Sequence, residues 1–165
     1  MTIVLVEGES DRIALEVIAR RLNASPLTVV PIGGAHAAAN AIAGILEDSP
    51  NEHLLGLVDI GERHVFEAVL PEVFVCDRDL EDELIRALGE EAALLVVEDQ
   101  GELASFRTLQ KQPAQRKRST RDQLRQFLNG RSGNKARYAA LFAEAIELDR
   151  IPGPLKNVIA AACKR

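Results

Sequence analysis

Short runs of apolar, β-branched residues alternate along this chain with longer stretches whose apolar positions recur every three or four residues. Residues 2–6, Thr-Ile-Val-Leu-Val, are the first such run and read as a buried parallel strand. The run stops at Glu7-Gly8. Ser10 then offers an N-cap for an amphipathic helix over 12–22, with Ile13, Leu15, Val17, Ile18 and Leu22 as its apolar positions. After the Ser25-Pro26 break, 27–32 reads as a second strand, Gly33-Gly34 as a connecting turn, and the alanine-rich 35–47 as a helix suited to close packing on a sheet. His36, at the start of that helix, reads as polar surface. A third strand over 54–58 ends at Asp59, a short helix fits 62–70, and a fourth strand over 73–76 ends at Asp77-Arg78-Asp79. An acidic helix over 80–88 closes at Gly89.

Beyond Gly89 the rhythm changes. Residues 92–97 are apolar enough for a strand or a buried helical turn, and the pattern alone leaves both open. From 102 onward the period is helical, through Leu103, Phe106 and Leu109, then Leu124, Phe127 and Leu128, then Tyr138, Leu141, Phe142 and Ile146. Pro113, Asn129-Gly130 and Ser132-Gly133 break it, and a last helix follows Pro154 over 155–163. The expectation is a single α/β domain over 1–165. Its core, 1–100, is a parallel sheet of about four strands with helices on both faces, and 101–165 is a helical, basic part.

Composition narrows the class. With 47% hydrophobic and 27% charged residues in 165, the chain has the balance of a globular domain large enough to enclose a core. Aromatics are only 4%, so Leu, Val, Ile and Ala must fill most of that core. No apolar run approaches the ~20 residues of a membrane span, and Cys76 and Cys163 make neither a disulfide framework nor a zinc-spaced cluster. A reduced, cytoplasmic protein away from membranes is expected. The net charge of −5 conceals a division. Residues 1–106 carry 6 basic and 21 acidic side chains, whereas 107–137 carry ten Lys or Arg against the single acid Asp122.

The acids have an order of their own. Glu7, Asp59 and Asp79 follow the carboxyl ends of three expected strands, Asp11 falls in the first turn of the helix after Glu7, and Glu81 comes two residues after Asp79. Ligands of open α/β sheets bind at that rim. With strands ~4.8 Å apart, carboxylates so placed can share one or two divalent ions, which relieves their mutual repulsion. Mg²⁺ and Mn²⁺ favour such hard oxygen donors and serve phosphodiester chemistry. Asp82 and Glu83 read as a solvated acidic face. In the basic segment, Arg118, Arg121 and Arg125 are spaced to share a helical face, and with Arg116, Lys117, Arg131 and Arg137 they can track a phosphate backbone. A basic surface paired with the acidic half of the chain is the alternative.

Val6-Glu7-Gly8-Glu9-Ser10-Asp11 resembles the opening of a TOPRIM domain, and more closely that of the OLD (overcoming lysogenization defect) family of nucleases. Asp79-Leu80-Glu81 is similar to the Asp-Leu-Glu element of those domains, and Lys135, in Gly133-Asn134-Lys135-Ala136, to a lysine that opens a late helix. The resemblance spans about residues 2–148. It departs at Asp59-Ile60-Gly61-Glu62, where Gly61 replaces the second acid of an Asp-x-Asp motif and Glu62 comes one place later. It implies a compact TOPRIM-like fold and a Mg²⁺- or Mn²⁺-dependent endonuclease that nicks or cleaves DNA. Glu7, Asp11, Asp59 and Glu81 would hold metal, with Asp79 and Glu62 as further members, and Glu7 and Lys135 would act on the scissile phosphate. Members of that family join this domain to an ATPase, and no Gly-x-x-x-x-Gly-Lys-Ser/Thr is present here. That leaves two expectations: a standalone nuclease, or one half of a split system with a separate ATPase chain as partner. Two further readings follow from the same residues: a catalytically faded module that binds nucleic acid or protein, and an RNA-processing ribonuclease.

Overall fold

The apolar run at the start of the chain becomes the inner seam of a sheet. In the computed structural model, which describes residues 1–164, Thr2–Val6 is strand β1 and is buried from Ile3 onward. With β2 (Thr28–Pro31), β3 (His53–Asp59) and β4 (Val73–Cys76) it forms an all-parallel sheet in the order β2-β1-β3-β4. Val6 lies opposite Pro31 on one side and Leu57 on the other, and Asp59 lies opposite Cys76. The chain leaves β1 toward β2, then crosses back to lay β3 on β1's other edge. Strand order therefore switches between β1 and β3, and the crevice this creates opens at their carboxyl ends.

Both faces of the sheet are covered, which is why its strands read as continuous apolar runs. Val4, Val6, Leu55 and Leu57 point into one layer, and Ile3, Leu5, Leu54 and Val58 into the other. The second layer is closed by Ala38 and Ile42 of α2 (Ala35–Asp48) and by Phe66 of α3 (Arg63–Glu67). Gly56 makes that closure possible: a Cβ there would stand 2.9 Å from Leu70 Cδ1 and 3.6 Å from Phe66 Cδ1. The first layer is larger. Helices α1 (Glu9–Arg21) and α9 (Gly153–Cys163) pack on it, and α8 (Asn134–Ala145) packs on α1 and on α4 (Leu80–Leu88). Helices α5 (Glu90–Asp99), α6 (Leu103–Gln110) and α7 (Thr120–Asn129) complete it.

Phe106, Phe127, Tyr138 and Phe142 meet ring to ring, with centroids 5.6, 5.9 and 5.5 Å apart in succession, inside the same core that holds Val4 and Val6. Each such buried ring removes apolar surface worth about 1.5–3 kcal/mol from water. Residues after 101 thus supply much of the core beneath the strands. Among the described residues no helix is long and apolar enough to cross a membrane, and Cys76 (buried) and Cys163 (exposed) are both free thiols.

The four parallel strands and two covered faces are as the pattern predicts, and several boundaries differ. The first helix begins at Glu9, with extended Gly8 as its N-cap, so Ser10 is not the cap but a buried residue inside the first turn. Asp11 takes over the capping work, its Oδ2 accepting the Gly8 N–H at 2.8 Å. The helix expected over 62–70 is a 3-10 turn at Ile60–Glu62 followed by the five residues of α3. The ambiguous 92–97 is helical within α5, which starts directly from Gly89, whose φ of 89° lets α4 end and α5 begin at one residue.

Candidate functional site

Three neighbouring strands deliver acids to the crevice at the switch between β1 and β3. Glu7 follows β1, Asp59 ends β3, and Glu81 lies in the first turn of α4, two residues beyond the 77–79 loop that leaves β4. Asp11 comes in from the first turn of α1. Backbone groups tie them into one chain of contacts. Glu7 Oε1 accepts the Asp59 N–H at 3.1 Å across β1 and β3, and Asp59 Oδ1 accepts the Leu80 N–H at 3.2 Å, so it reaches the N-terminus of α4. Glu81, only 5% exposed, meets the Lys135 ammonium at 3.2 Å. Lys135 arrives on the first turn of α8, where an ammonium opposes the helix dipole and is held instead by acids.

The electrostatics are those of crowding. Burial first, then Glu81 and Glu7, push the Asp11 carboxyl up to about 7, against the pull of the Gly8 N–H and Lys135. Burial, then Glu7, Asp11, Glu81 and Asp79, push Asp59 up to about 8. Glu7 is raised too, by burial that outweighs its bond to the Asp59 N–H, with Glu62 and Glu81 adding to the rise. Lys135 is pulled down by burial, but Glu81, Asp11 and Asp59 together outweigh this and leave it above its ordinary value. Glu7, Asp11, Asp59 and Glu81 therefore share one field, and one ammonium answers them.

Carboxylates of this kind suit a hard divalent cation. Glu7, Asp11 and Asp59 each commit one oxygen to a backbone N–H, and the other oxygen of each takes no hydrogen bond among the described residues. The donor chemistry and the excess negative charge fit such an ion. Among the described residues, however, no group of three or more His, Cys, Asp or Glu side chains is placed to hold a metal ion as it stands.

The remaining expected site residues divide. Glu62, half-buried, is near enough to raise Glu7. Asp79 belongs to the same field, but its side chain caps α4 by accepting the Asp82 N–H at 2.8 Å and forms an ion pair with Arg125. Gly61 is exposed, with open space where an acid would have been. Arg121 meets Asp82 at 3.0 Å, and Arg131 and Arg137 both face Glu102, Arg137 also lying 4.8 Å over the Tyr138 ring. Arg116, Lys117 and Arg118 are exposed. Arg118 precedes α7, whose N-cap is Ser119, so it does not share a helical face with Arg121 and Arg125 as the spacing suggested.

Asp82 and Glu83 are not a solvated face. Asp82 is 2% exposed, held by Arg86 Nε at 2.9 Å and Arg121 Nε at 3.0 Å, with Arg78 at 3.7 Å. Glu83 accepts the Asp77 N–H at 2.9 Å and meets Arg86 at 3.3 Å. Arg78 links this group onward to Asp122 at 2.6 Å, from a left-handed φ of 72° that non-glycine residues rarely adopt. The signal was in the chain: Arg78 and Arg86 stand four residues either side of Asp82, and the Arg121/Arg125 spacing matches Asp82 and Asp79 one turn apart on α4.

No family model matches the sequence, and no curated protein does. Comparison of structures finds the same fold in the C-terminal region of the Xanthomonas campestris pv. campestris OLD protein. The TM-score is 0.69 at 18% identity, over 98% of this chain and 91% of that one. The C-terminal region of the Burkholderia pseudomallei OLD protein matches with a TM-score of 0.66 at 17% identity, over 96% of this chain and 95% of that one. The fold implied by residues 6–11 and their downstream companions is the fold found.

Proposed function

We propose that the chain is a nuclease that cuts DNA with the help of Mg²⁺ or Mn²⁺, held by Glu7, Asp11, Asp59 and Glu81 with Glu62 at the edge. The observation that carries this reading is the crowding itself: two acids pushed to about 7 and about 8 within a group of four that a single ammonium faces. A bound divalent ion would neutralise the non-bridging oxygens of a phosphodiester and lower the pKa of a water. The chain's own groups do the rest. Lys135, kept charged by its neighbours, draws the phosphate to the rim and stabilises the charge that builds on it. Asp11 and Asp59, pushed up to about 7 and about 8, would hold the ion as carboxylates, so its binding would be coupled to loss of their protons near neutral pH. Asp79, spent on its cap and on Arg125, positions Glu81 rather than joining the ligands. The likeness in fold to the OLD C-terminal regions supports the same class of chemistry. Residues 1–165 contain no nucleotide-binding loop, so any ATPase working with them would lie outside these residues.

The second reading is a binding module whose catalysis has faded. Gly61 in the place of a second acid favours it, as does the absence, among the described residues, of any three acids, histidines or cysteines placed to hold a metal ion. Supercoiled plasmid and a structured RNA, each incubated with Mg²⁺ or Mn²⁺, separate the readings. Wild-type protein is expected to nick the plasmid, with Glu7→Ala inactive and Lys135→Ala slower by about 10²–10³. Nicking that survives Glu7→Ala sinks the nuclease reading, and cleavage confined to RNA redirects it to RNA processing.

A further inference from the structure

Two groups stand out among the ten basic side chains of 107–137. Arg121, Arg125 and Arg137 are engaged by Asp82, Asp79 and Glu102. Arg107, Lys111, Arg116 and Lys117 are exposed and make no ion pair among the described residues. These four lie in 103–119, a stretch with five basic side chains and no acid. Arg107 and Lys111 are four residues apart and so share a face along α6 and its end. Arg116 Nε donates to the Lys111 carbonyl at 2.8 Å, which keeps its guanidinium at the same end.

Beside this stripe runs a groove of about 430 Å³ between α6 and the end of α7, whose lining includes Ser105, Thr108, Gln112, Gly130 and Arg131. Thr108 and Gln112 each follow a stripe residue by one position. Arg131 reaches across, donating to Ser105 Oγ at 3.4 Å, with its side chain 63% exposed. Its acid, Glu102, stands 3.9 Å away and is already held by Arg137 and by the Tyr138 hydroxyl. Arg131 thus lines the groove, Arg107 and Lys111 adjoin lining residues, Arg116 is tied to the end of α6, and the nearby acid Glu102 is occupied.

We propose that this groove holds the phosphate backbone of duplex DNA, a docking surface apart from the carboxylate rim; it deepens the nuclease reading and rests on it for the choice of DNA. Charge complementarity names a polyanion. The aromatic in the wall selects a duplex over a single strand: Phe127 is 5% exposed and sits edge-on to Phe106 and Tyr138, so no ring is offered to an unstacked base. α7 joins the two places, because Arg125 pairs with Asp79 beside the rim while Phe127 and Gly130 reach the groove.

The test is fluorescence anisotropy with a labelled 30-base-pair DNA, in EDTA so that nothing is cut. Wild-type affinity is expected to fall with salt with a log–log slope of about −3 to −4, as four phosphate contacts require. Lys111→Glu with Arg116→Glu is expected to weaken binding at least tenfold and to flatten the slope by about 2, as is Arg131→Ala by a smaller factor. Lys156→Glu with Lys164→Glu, the same change of net charge on and after α9, is expected to leave affinity within twofold. Equal losses from both double variants, tighter binding of the single strand or of duplex RNA, or no duplex binding by the wild type each overturns the proposal. The rim is scored separately through Glu7→Ala, expected to abolish cleavage while leaving duplex affinity within twofold. Groove-dependent binding without cleavage defeats the nuclease reading alone, and cleavage indifferent to the groove variants defeats the groove alone.

Discussion

Glu81 and Asp82 are consecutive residues on the first turn of α4, both nearly buried, and they live in opposite electrostatic worlds. A helix turns about 100° per residue, so they face different sides. Asp82 meets three guanidinium groups, from Arg78, Arg86 and Arg121, and Arg125 secures Asp79 beside it. Glu81 turns to Glu7, Asp11 and Asp59 and finds one ammonium. The chain has arginines enough to neutralise buried acids and places them on one side of α4 only. A group so short of positive charge, that close to a well-compensated one, is what the proposed cation would answer.

The comparison can be broken first at Asp82. Asp82→Ala is expected to destabilise the fold by about 3 kcal/mol, the low end for breaking a buried ion pair, because the arginines left behind are 34–41% exposed and can turn to solvent. Urea denaturation reads this, and a loss below about 1 kcal/mol would mean that the arginines do not hold α4. On the other side of the helix the sign reverses. Asp59→Asn removes a crowded charge, so at pH 8 without metal it is expected to raise the melting temperature. Wild-type protein should gain about 2.7 kcal/mol of stability at Mn²⁺ a hundredfold above its dissociation constant, and Asp59→Asn should lose that gain. A Mn²⁺ shift retained by the variant would remove Asp59 from the ligand set.

The third prediction is a pH profile. Asp11 and Asp59 titrate at about 7 and about 8 in the folded chain, above their ordinary 3.8. Between those values the folded state binds more protons than the unfolded, so stability in EDTA is expected to fall as pH rises from roughly 4 to 8. Asp59→Asn should flatten the upper part of that fall. A stability that climbs over this window would show that the rim is not crowded. The smallest effect belongs to Arg20, whose ion pair with Glu144 joins α1 to α8 at the surface. Arg20→Ala is expected to cost less than about 1 kcal/mol by the same denaturation, and a larger loss would mean that surface pairs hold these two helices together.

The sheet was legible because each strand is a short apolar run ended by an acid or glycine, and burial on both faces leaves that signature undiluted. Glu7 and Asp59 could be read for the same reason, since a parallel sheet brings strand ends together whatever the intervening sequence. Ser10 misled because a serine before an apolar period is a sound cap signal, and only the extended Gly8 with Asp11 reaching back displaces it. Asp82 and Glu83 misled because a run of acids reads as solvated until its arginines are found, and one of those, Arg121, lies about forty residues away on α7. Composition could tell that the basic segment mattered. Which of its members were already committed to acids depended on how α7 packs on α4, and no local pattern encodes that.

Lys135 reaches the rim only because α8 is wedged between α1 and α4, with Tyr138 and Phe142 one and two turns further along the same helix in the common core. The cation of the rim is thus bolted to the ring cluster beneath it. A shortened chain ending before α6 would lose that ammonium and the greater part of its aromatic interior in the same cut. Chemistry and cohesion here cannot be divided between halves of the polypeptide, because one helix carries both.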